Sequence, residues 1–344
     1  MKAMVLAAGV GSRLEPLTSQ IPKPMAPIAN RPVMEHILRL LSKHQITDVV
    51  SNLHYMPEKI TSYFGDGEAL NMRLSYHIEE KLSGDAGGVR ACHKFFDDGT
   101  FVVINGDLLT DVDLTKVIKE HKAKGAIASI ALKPMDDVSR FGVAVLDSAG
   151  FIKGFQEKPA KEEALSNLIS TGIYIFEPEI FNHIPKEGEY GFGRQLLPKL
   201  VQMGLPVLGV EVNCYWSDVG TIPQYRLSNF DAIEGLVDIA LPGERTTWGF
   251  AGNGCNVQNV GSIKGSLMMG KNSTLSKGVI INGSVIIGDN CTVGENAVLE
   301  NSIVWSDTNI ESHARVHDSV IGYNCLVENG SVHLETAKVV PLVR

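Results

Sequence analysis

A six-residue spacing of apolar side chains runs through the last quarter of the chain. From residue 257 every sixth place is apolar, at Val257, Ile263, Met269, Leu275, Ile281, Ile287, Val293 and Leu299. The register then shifts by one residue and continues through Val304, Ile310 and Val316, before it shifts again to Ile321 and Val327. Gly, Asn, Ser and Asp fill many places between, as tight turns between short strands require. The spacing predicts a hexapeptide β-helix whose coils bury their apolar positions against one another.

The residues before this repeat alternate between short apolar runs and helical patterns, which is typical of β-α-β units around a mostly parallel sheet. The first strand is predicted over 3–6, where the sequence reads Ala-Met-Val-Leu. A core-facing helix is predicted after Pro32, because apolar side chains recur on one face between Val33 and Leu41. We therefore expect an α/β domain before the repeat.

The change of period divides the chain into predicted segments. They are an α/β domain over 1–235, a linker over 236–256, a β-helix over 257–335 and a C-terminal tail over 336–344. The linker is favoured by Pro242 and several glycines, which interrupt both kinds of pattern.

Composition narrows the class of protein. A chain of 344 residues is long enough for about two domains, and no apolar run approaches the roughly 20 residues that span a bilayer. A net charge of −8 argues against a general nucleic-acid binder. The five cysteines form no C-x-x-C pair, and the N-terminus lacks the long apolar stretch of a signal peptide. We expect a cytoplasmic protein that binds neither nucleic acid nor membrane.

A glycine turn directly follows the first predicted strand. Gly9 and Gly11 carry no side chain, so backbone N–H groups there can approach phosphate oxygens, and Arg13 can reach the same anion. Leu14 stands where a dinucleotide-binding motif needs a third glycine, and the Gly-Lys pair of a P-loop is absent. Lys23 lies between two prolines on a stiffened backbone. The segment predicts a site for a polyphosphate.

Two aspartates occupy places where a metal could be held. Asp107 ends an apolar run over 101–107, and Asp218 precedes a helical stretch. Two hard oxygen ligands, completed by phosphate oxygens and water, suit Mg²⁺. A single aspartate at a strand end is also a common cap or turn residue, and Asp111 and Asp113 are interpreted in that way, as a turn residue and a helix N-cap.

Taken with Phe155-Gln-Glu-Lys-Pro159 and Ser83-Gly-Asp-Ala-Gly-Gly88, these segments resemble the NDP-sugar pyrophosphorylases, the sugar-1-phosphate nucleotidyltransferase family. The family signature is similar to L-A-x-G-x-G-T-R-L-x-P-L-T followed by P-K-P, and here Ser12 and Glu15 depart from it. The resemblance covers nearly the whole chain, because mannose-1-phosphate guanylyltransferase-like members carry a C-terminal left-handed parallel β-helix. It implies a Rossmann-like, mostly parallel sheet in the nucleotidyltransferase domain.

The resemblance also implies roles for particular residues. Nucleotide binding falls to Leu6, Ala7, Ala8, Gly9, Gly11, Ser12, Arg13, Lys23, Gly84, Asp85 and Gly106. Sugar-phosphate binding falls to Gly142, Glu157, Lys158, Thr171 and Gly172. Asp107 and Asp218 are the implied Mg²⁺ ligands, and the implied catalytic residues are Arg13, Lys23, Asp107, Lys158 and Asp218. Asp85 replaces a common Thr, and Ser170 replaces the Asn of many guanylyltransferases.

The implied reaction joins a nucleoside monophosphate from an NTP to a sugar 1-phosphate and releases pyrophosphate. GTP with mannose 1-phosphate is the favoured pair, while UTP or dTTP with glucose 1-phosphate, or another sugar-phosphate uridylyl transfer, remains open. A regulatory subunit that senses an NDP-sugar without turnover is a non-enzyme alternative. His313 and His317 leave open an acyltransferase activity of the repeat region. We further expect self-association into a homo-oligomer through the β-helix.

Overall fold

The structure is a computed structural model and describes residues 1–340. The last four residues of the predicted tail lie outside the described residues. The chain forms two compact units. The first, called the sheet unit, contains Met1–Val10 and Ile37–Trp216. The second, called the β-helix unit, contains Gly11–His36 and the chain from Ser217 onward.

Residues 2–234 contain thirteen strands and six α-helices. The strands are β1 (Lys2–Leu6), β2 (Pro27–Ile28), β3 (Arg31–Pro32), β4 (Asp48–Leu53), β5 (Arg73–Ile78), β6 (Phe101–Asn105), β7 (Leu108–Thr110), β8 (Ala128–Pro134), β9 (Gly142–Leu146), β10 (Ile152–Glu157), β11 (Leu168–Phe176), β12 (Val207–Glu211) and β13 (Trp216–Asp218). The helices are α1 (Val33–Lys43), α2 (Pro57–Phe64), α3 (Asp85–Ala91), α4 (Leu114–Lys124), α5 (Leu197–Gln202) and α6 (Ile222–Glu234).

The sheet unit is built on one nine-stranded sheet. Its main path is β10-β9-β11-β6-β1-β4-β5, with β8 paired to β11 and β12 paired to β8. β1 runs parallel to both β4 and β6, and β4 runs parallel to β5. Strands covered on both faces need continuous apolar runs, and residues 101–104 of β6 are fully buried. The predicted Rossmann-like α/β fold is confirmed.

The parallel register brings the carboxyl ends of the central strands to one edge of the sheet. Leu6 at the end of β1 is paired with Asn52 on β4 and with Asn105 on β6. Ligand-binding groups of open α/β sheets lie at such an edge. A site in this unit is therefore expected in the loops that follow these strands.

The later part of the β-helix unit consists of short strands. They are β14 (Glu244–Thr246), β15 (Gly249–Ala251), β16 (Asn256–Val257), β17 (Ser262–Lys264), β18 (Leu267–Met269), β19 (Thr274–Leu275), β20 (Ile280–Asn282), β21 (Val285–Ile287), β22 (Thr292–Val293), β23 (Val298–Glu300), β24 (Ile303–Val304), β25 (Asn309–Ile310), β26 (Arg315–His317), β27 (Val320–Ile321), β28 (Leu326–Val327), β29 (Val332–Leu334) and β30 (Ala337–Lys338).

These strands form three sheets, ordered β14-β15-β18-β21-β24-β27-β30, β16-β19-β22-β25-β28 and β17-β20-β23-β26-β29. All pairs within them are parallel except that of β14 and β15. Most of the sixth-place side chains are buried, Leu275, Ile281 and Leu299 completely, while Val257 at the start of the repeat is 37% exposed. The predicted hexapeptide left-handed β-helix is confirmed.

The corner residues of the β-helix explain why polar residues separate the apolar positions of the repeat and why its register shifts. Asn272, Asn290 and Asp307 adopt positive φ angles of 56°, 56° and 61°, a conformation that Asn and Asp tolerate better than other side chains. Leu299 and Val304 occupy successive inward places on β23 and β24, five residues apart in sequence. The register shift is therefore a corner that is one residue shorter than in the preceding coil.

The β-helix sheets also use residues outside the predicted repeat. β14 and β15 lie in the segment predicted as a linker, and β30 lies in the segment predicted as a tail. Strands of two or three residues gain their hydrogen bonds from the neighbouring coil and need no apolar sixth place. The three boundaries between the four predicted segments stay predictions. No helix among residues 1–340 is long and apolar enough to cross a membrane.

Candidate active site

In the β-helix unit the glycine turn lies directly against the lysine of the Pro-Lys-Pro segment. Gly11 has a φ of 74°, and a Cβ added there would lie 2.6 Å from Cβ of Lys23. Ser12–Leu14 form a short 3₁₀ turn that ends the loop, and the Lys23 side chain is largely buried. Only glycine adopts this backbone angle without strain and also leaves room for the Lys23 side chain to lie so close. The structure thus brings Gly11 and Lys23 together.

Asp218 and Arg13 meet at another glycine of the same unit. A Cβ added to Gly220 would lie 2.9 Å from Oδ2 of Asp218 and 3.5 Å from Nη2 of Arg13. The side chain of Arg13 is exposed, and that of Asp218 is half-buried. Arg13 lies in the 3₁₀ turn that follows Gly11, so the two contacts belong to one loop. We call Gly11, Arg13, Lys23, Asp218 and Gly220 the cation cluster. Such a cluster can bind a polyphosphate and a metal ion.

In the sheet unit the end of β6 lies against the start of the glycine loop. Gly106 donates its N–H to the carbonyl of Leu6 at 2.9 Å, and a Cβ at this position would lie 3.1 Å from the same oxygen. Asp107 follows and is half-buried. Gly9 has open space around it. Leu6, Gly9, Gly106 and Asp107 therefore share one edge of the sheet.

A buried polar chain that the sequence analysis missed lies at this edge. Asn52 Oδ1 accepts the N–H of Ala7 at 3.1 Å, and Asn52 Nδ2 donates to Glu79 Oε1 at 2.6 Å. Glu79 Oε2 in turn accepts the N–H and hydroxyl of Ser83 at 3.0 and 2.6 Å. The chain links the loop after β1 to the loop over 83–88. Polar residues at the carboxyl ends of two parallel strands were the signal that could have found it.

The loop over 83–88 begins α3 and turns Asp85 inward. Gly84 has a φ of 77°, and a Cβ there would lie 2.5 Å from the Tyr190 carbonyl oxygen. Asp85 Oδ1 accepts the N–H of Ala86 at 2.8 Å and that of Phe192 at 2.6 Å. Burial raises the pKa of the Asp85 carboxyl to about 6, although these N–H donors oppose the shift and nearby Glu157 adds to it.

Glu157 and its neighbours form the predicted sugar-phosphate side of the sheet unit. Gly142 on β9 is opposite Glu157 on β10, and a Cβ at Gly142 would lie 3.3 Å from Glu157 Oε2. A Cβ at Gly193 would collide with that oxygen. Gly193 belongs to a π-helical segment, a feature that often occurs at functional sites. Glu157 is thus bordered by bare backbone on two sides.

Lys158 has a strained backbone. Its φ is 50°, in the left-handed region that non-glycine residues seldom adopt, and its N–H donates to the Phe141 carbonyl at 3.0 Å. Its Nζ lies 3.5 Å from Glu157 Oε1 and remains largely exposed. The conformation presents the ammonium beside the carboxylate, where it can meet an anion.

Thr171 and Gly172 contribute backbone to this region. The Thr171 hydroxyl donates to the Ala131 carbonyl at 2.7 Å, so this side chain faces β8. Its carbonyl accepts the indole N–H of Trp216 at 2.8 Å. Gly172 has a φ of 76°, and a Cβ there would lie 2.5 Å from Asn105 Nδ2.

Asp113 and His317 have structural partners, whereas His313 lies at a corner of the β-helix. Asp113 caps α4 as predicted, accepting the N–H of Lys116 at 3.0 Å. His317 has Nδ1 2.7 Å from Asp318 and Nε2 3.3 Å from Glu300, so both ring nitrogens are engaged. His313 is an exposed corner residue with a φ of 60°. An acyltransferase activity of the repeat region stays a prediction.

Comparison with known proteins supplies the family. The description "Nucleotidyl transferase" matches residues 2–234, and "GMPPB C-terminal domain" matches residues 263–340. The chain therefore belongs to the nucleotidyl transferase family and is an enzyme of that class. This confirms the resemblance seen in the sequence motifs.

The chain is 42% identical over 305 residues to the UTP–glucose-1-phosphate uridylyltransferase of Synechocystis sp., covering 82% of this chain and 76% of the relative. It is 32% identical over 245 residues to the mannose-1-phosphate guanylyltransferase of Mycobacterium tuberculosis, covering 71% and 68%. Among solved structures, a putative glucose-1-phosphate thymidylyltransferase from Bacillus anthracis matches with a TM-score of 0.63 and 27% identity, covering 70% of this chain and 97% of that one.

Proposed function

We propose that the chain transfers GMP from GTP to mannose 1-phosphate, forming GDP-mannose and pyrophosphate. The observation that carries a sugar-1-phosphate nucleotidyl transfer is the cation cluster, in which Lys23 lies against Gly11 while Asp218 and Arg13 lie against Gly220. The match of residues 263–340 to the GMPPB C-terminal domain and the Mycobacterium relative support guanylyl transfer to mannose 1-phosphate.

A second candidate is uridylyl transfer to glucose 1-phosphate. It is favoured by the Synechocystis relative, which shares 42% identity over a longer stretch of the chain. The two candidates share one chemistry, in which the sugar phosphate attacks the α-phosphorus of the NTP in line and pyrophosphate leaves. They differ only in the base and in the sugar hydroxyls that the chain recognises.

The chain's own side chains supply positioning and charge in this proposal. Arg13 and Lys23 offset the charge of the departing pyrophosphate. Lys158 holds the incoming sugar phosphate, and Glu157 accepts hydrogen bonds from sugar hydroxyls. No covalent intermediate with a protein nucleophile is required.

Mg²⁺ is the proposed cofactor, with Asp107 and Asp218 as its carboxylate ligands. No group of three or more His, Cys, Asp or Glu side chains within residues 1–340 could hold a metal by itself. Two carboxylates fit Mg²⁺, which keeps several waters and is usually completed by substrate phosphates. When bound, the ion would neutralise charge on the reacting phosphate.

The test measures pyrophosphate release with each of four NTPs against several sugar 1-phosphates, with Mg²⁺ and with EDTA. GTP with mannose 1-phosphate is expected to give the highest kcat/KM, and EDTA is expected to abolish turnover. A higher kcat/KM for UTP with glucose 1-phosphate would replace the first candidate by the second. Absence of turnover with every pair would contradict both.

Two further properties belong to the proposal. We propose a cytoplasmic reaction, supported by five free cysteines among the described residues. We also propose a homo-oligomer formed through the β-helix. Its last coil exposes Leu326, Val332 and Leu334 at 47%, 57% and 62%, and apolar side chains grouped at a surface favour association.

A further inference from the structure

A buried hydrogen-bond chain in the β-helix unit connects the β-helix to the loop that carries Lys23. The indole Nε1–H of Trp305, which follows β24, donates to the hydroxyl oxygen of Tyr225 on α6 at 2.8 Å. The Tyr225 hydroxyl donates to the carbonyl of Pro27 at 2.6 Å. Both aromatic side chains are almost completely buried. Pro27 comes directly after the 3₁₀ turn Lys23–Met25 and one further residue.

Asn229, one helical turn beyond Tyr225, holds the same loop. Its Oδ1 accepts the N–H of Ala29 at 2.9 Å, and its Nδ2 donates to the carbonyls of Tyr225 and Pro27 at 3.0 and 3.3 Å. The residue is fully buried. Buried polar groups are costly to leave unpaired, so α6 fixes the backbone over 27–29 in one position.

The β-helix in turn holds α6 at its corners. The guanidinium of Arg226 pairs with Asp318 and donates to the carbonyl of Asn301 at 3.0 Å. Both partners are corner residues with positive φ angles. Glu234 at the end of α6 accepts a hydrogen bond from Ser284 at the corresponding corner of an earlier coil. The helix is therefore anchored to successive coils along its length.

The same helix also holds the segment of Asp218. Ser217 Oγ lies 2.8 Å from Ser228 Oγ and accepts from Gln224 Nε2 at 2.8 Å. Thr221 caps the start of α6 by accepting from the N–H of Gln224. The Asp218 segment and the loop of Lys23 are thus attached to one helix, which is itself attached to the β-helix.

We propose that Trp305 is a positioning residue for nucleotide binding. Through Tyr225 it holds the loop of Lys23 in the place where that side chain meets the triphosphate, so the β-helix is part of the framework of the nucleotide site. The inference rests on the proposed roles of Arg13 and Lys23 in binding the polyphosphate. Glu157 and Lys158 belong to the sheet unit, and the proposal gives Trp305 no role in binding of the sugar phosphate.

The test replaces Trp305 by Phe in the full chain, which keeps an aromatic ring and removes the N–H donor. KM for the NTP, and KM for pyrophosphate in the reverse reaction, should rise by about 2- to 10-fold, the scale of one hydrogen bond. KM for the sugar 1-phosphate should stay within about 2-fold. Tyr225→Phe should raise the same KM values. The double variant should weaken nucleotide binding by less than the two single free-energy changes added together, because both residues belong to one hydrogen-bond chain.

Val316→Ala is the matched control, since Val316 is a buried core residue of the β-helix that takes no part in the chain. It should lower Tm and leave both KM values unchanged. The proposal is wrong if W305F leaves the KM values for NTP and pyrophosphate unchanged. It is also wrong if W305F raises the KM for the sugar 1-phosphate as much as the KM for the NTP. A higher KM for NTP and pyrophosphate, with an unchanged KM for the sugar 1-phosphate, supports the proposal.

A second measurement distinguishes failure of the proposed function from failure of the positioning role of Trp305. If the wild-type chain turns over no pair of substrates, binding of Mg²⁺-pyrophosphate by calorimetry still tests the positioning. A wild-type Kd that is lower than that of W305F by about 2- to 10-fold supports it. Equal values, or no binding by the wild type, overturn it.

Discussion

At the scale of single residues, the cation cluster depends on two side chains that converge on Gly220. Nη2 of Arg13 and Oδ2 of Asp218 both lie within contact distance of a Cβ placed there. A guanidinium held in place where phosphate charge develops stabilises the transition state electrostatically. Truncation of either side chain should therefore affect catalysis far more than folding.

Arg13→Ala and Asp218→Ala are each expected to lower kcat/KM by at least about two to three orders of magnitude, the scale for loss of a principal electrostatic group. Steady-state pyrophosphate release measures this. Arg245→Ala, at an exposed arginine of β14, serves as control and should retain wild-type turnover. Near-wild-type turnover in either cluster variant would refute the assignment.

The Asp85 carboxyl predicts how the stability of the folded chain depends on pH. Its pKa is raised by burial to about 6 in the folded chain, above the ordinary value of 3.8. The ionised carboxylate therefore weakens the fold above pH 6, and as the pH falls through 6 the folded state takes up a proton and gains stability. Asp85→Asn should raise Tm at pH 8, and the gain should shrink below pH 6.

Thermal melting between pH 5 and pH 8 measures this difference. Asp97→Asn, at an exposed aspartate, provides the control and should show no comparable pH-dependent gain. A D85N chain that melts below the wild type at every pH would mean that the hydrogen bonds from Ala86 and Phe192 outweigh the burial of the charge.

At the scale of elements, the corners of the β-helix decide which polar residues are tolerated. His313 has a φ of 60° at a corner where neighbouring coils have asparagine or glycine, such as Asn296 and Gly330. Glycine adopts this angle without steric cost. His313→Gly should leave the free energy of unfolding unchanged or raise it by up to about 1 kcal/mol, with turnover unaffected.

Urea unfolding measures the change, with the adjacent Ala314→Gly as control. Ala314 is buried and has no positive φ, so glycine there should destabilise by about 0.5–1 kcal/mol. If H313G lost as much stability as A314G, the left-handed corner would not be the determinant. A loss of turnover in H313G would indicate a catalytic role for this histidine.

At the scale of the whole molecule, the proposed self-association depends on the last coil of the β-helix. Val332→Lys places a charge among exposed apolar side chains and should shift the chain from oligomer to monomer. Size-exclusion chromatography with light scattering measures the mass. Leu165→Lys, at a 72% exposed leucine of the sheet unit, is the control and should leave the mass unchanged. A monomeric wild type would contradict the proposal.

The sequence by itself determined the features that obey local rules. A six-residue period predicts a β-helix because each coil repeats the same short strands and corners. The glycine turn over 9–13 and the stiff backbone at Lys23, between two prolines, could be predicted because backbone freedom and stiffness are properties of single residues. The N-cap of α4 at Asp113 was equally local.

Only the tertiary structure decided the contacts that depend on strand order and helix docking. Asn52 and Glu79 are 27 residues apart and bond because β4 and β5 are neighbours in register. Tyr225 and Pro27 are 198 residues apart. No spacing rule relates such positions, since the path of the chain between them sets the distance. The grouping of Gly11–His36 with the β-helix arises in the same way.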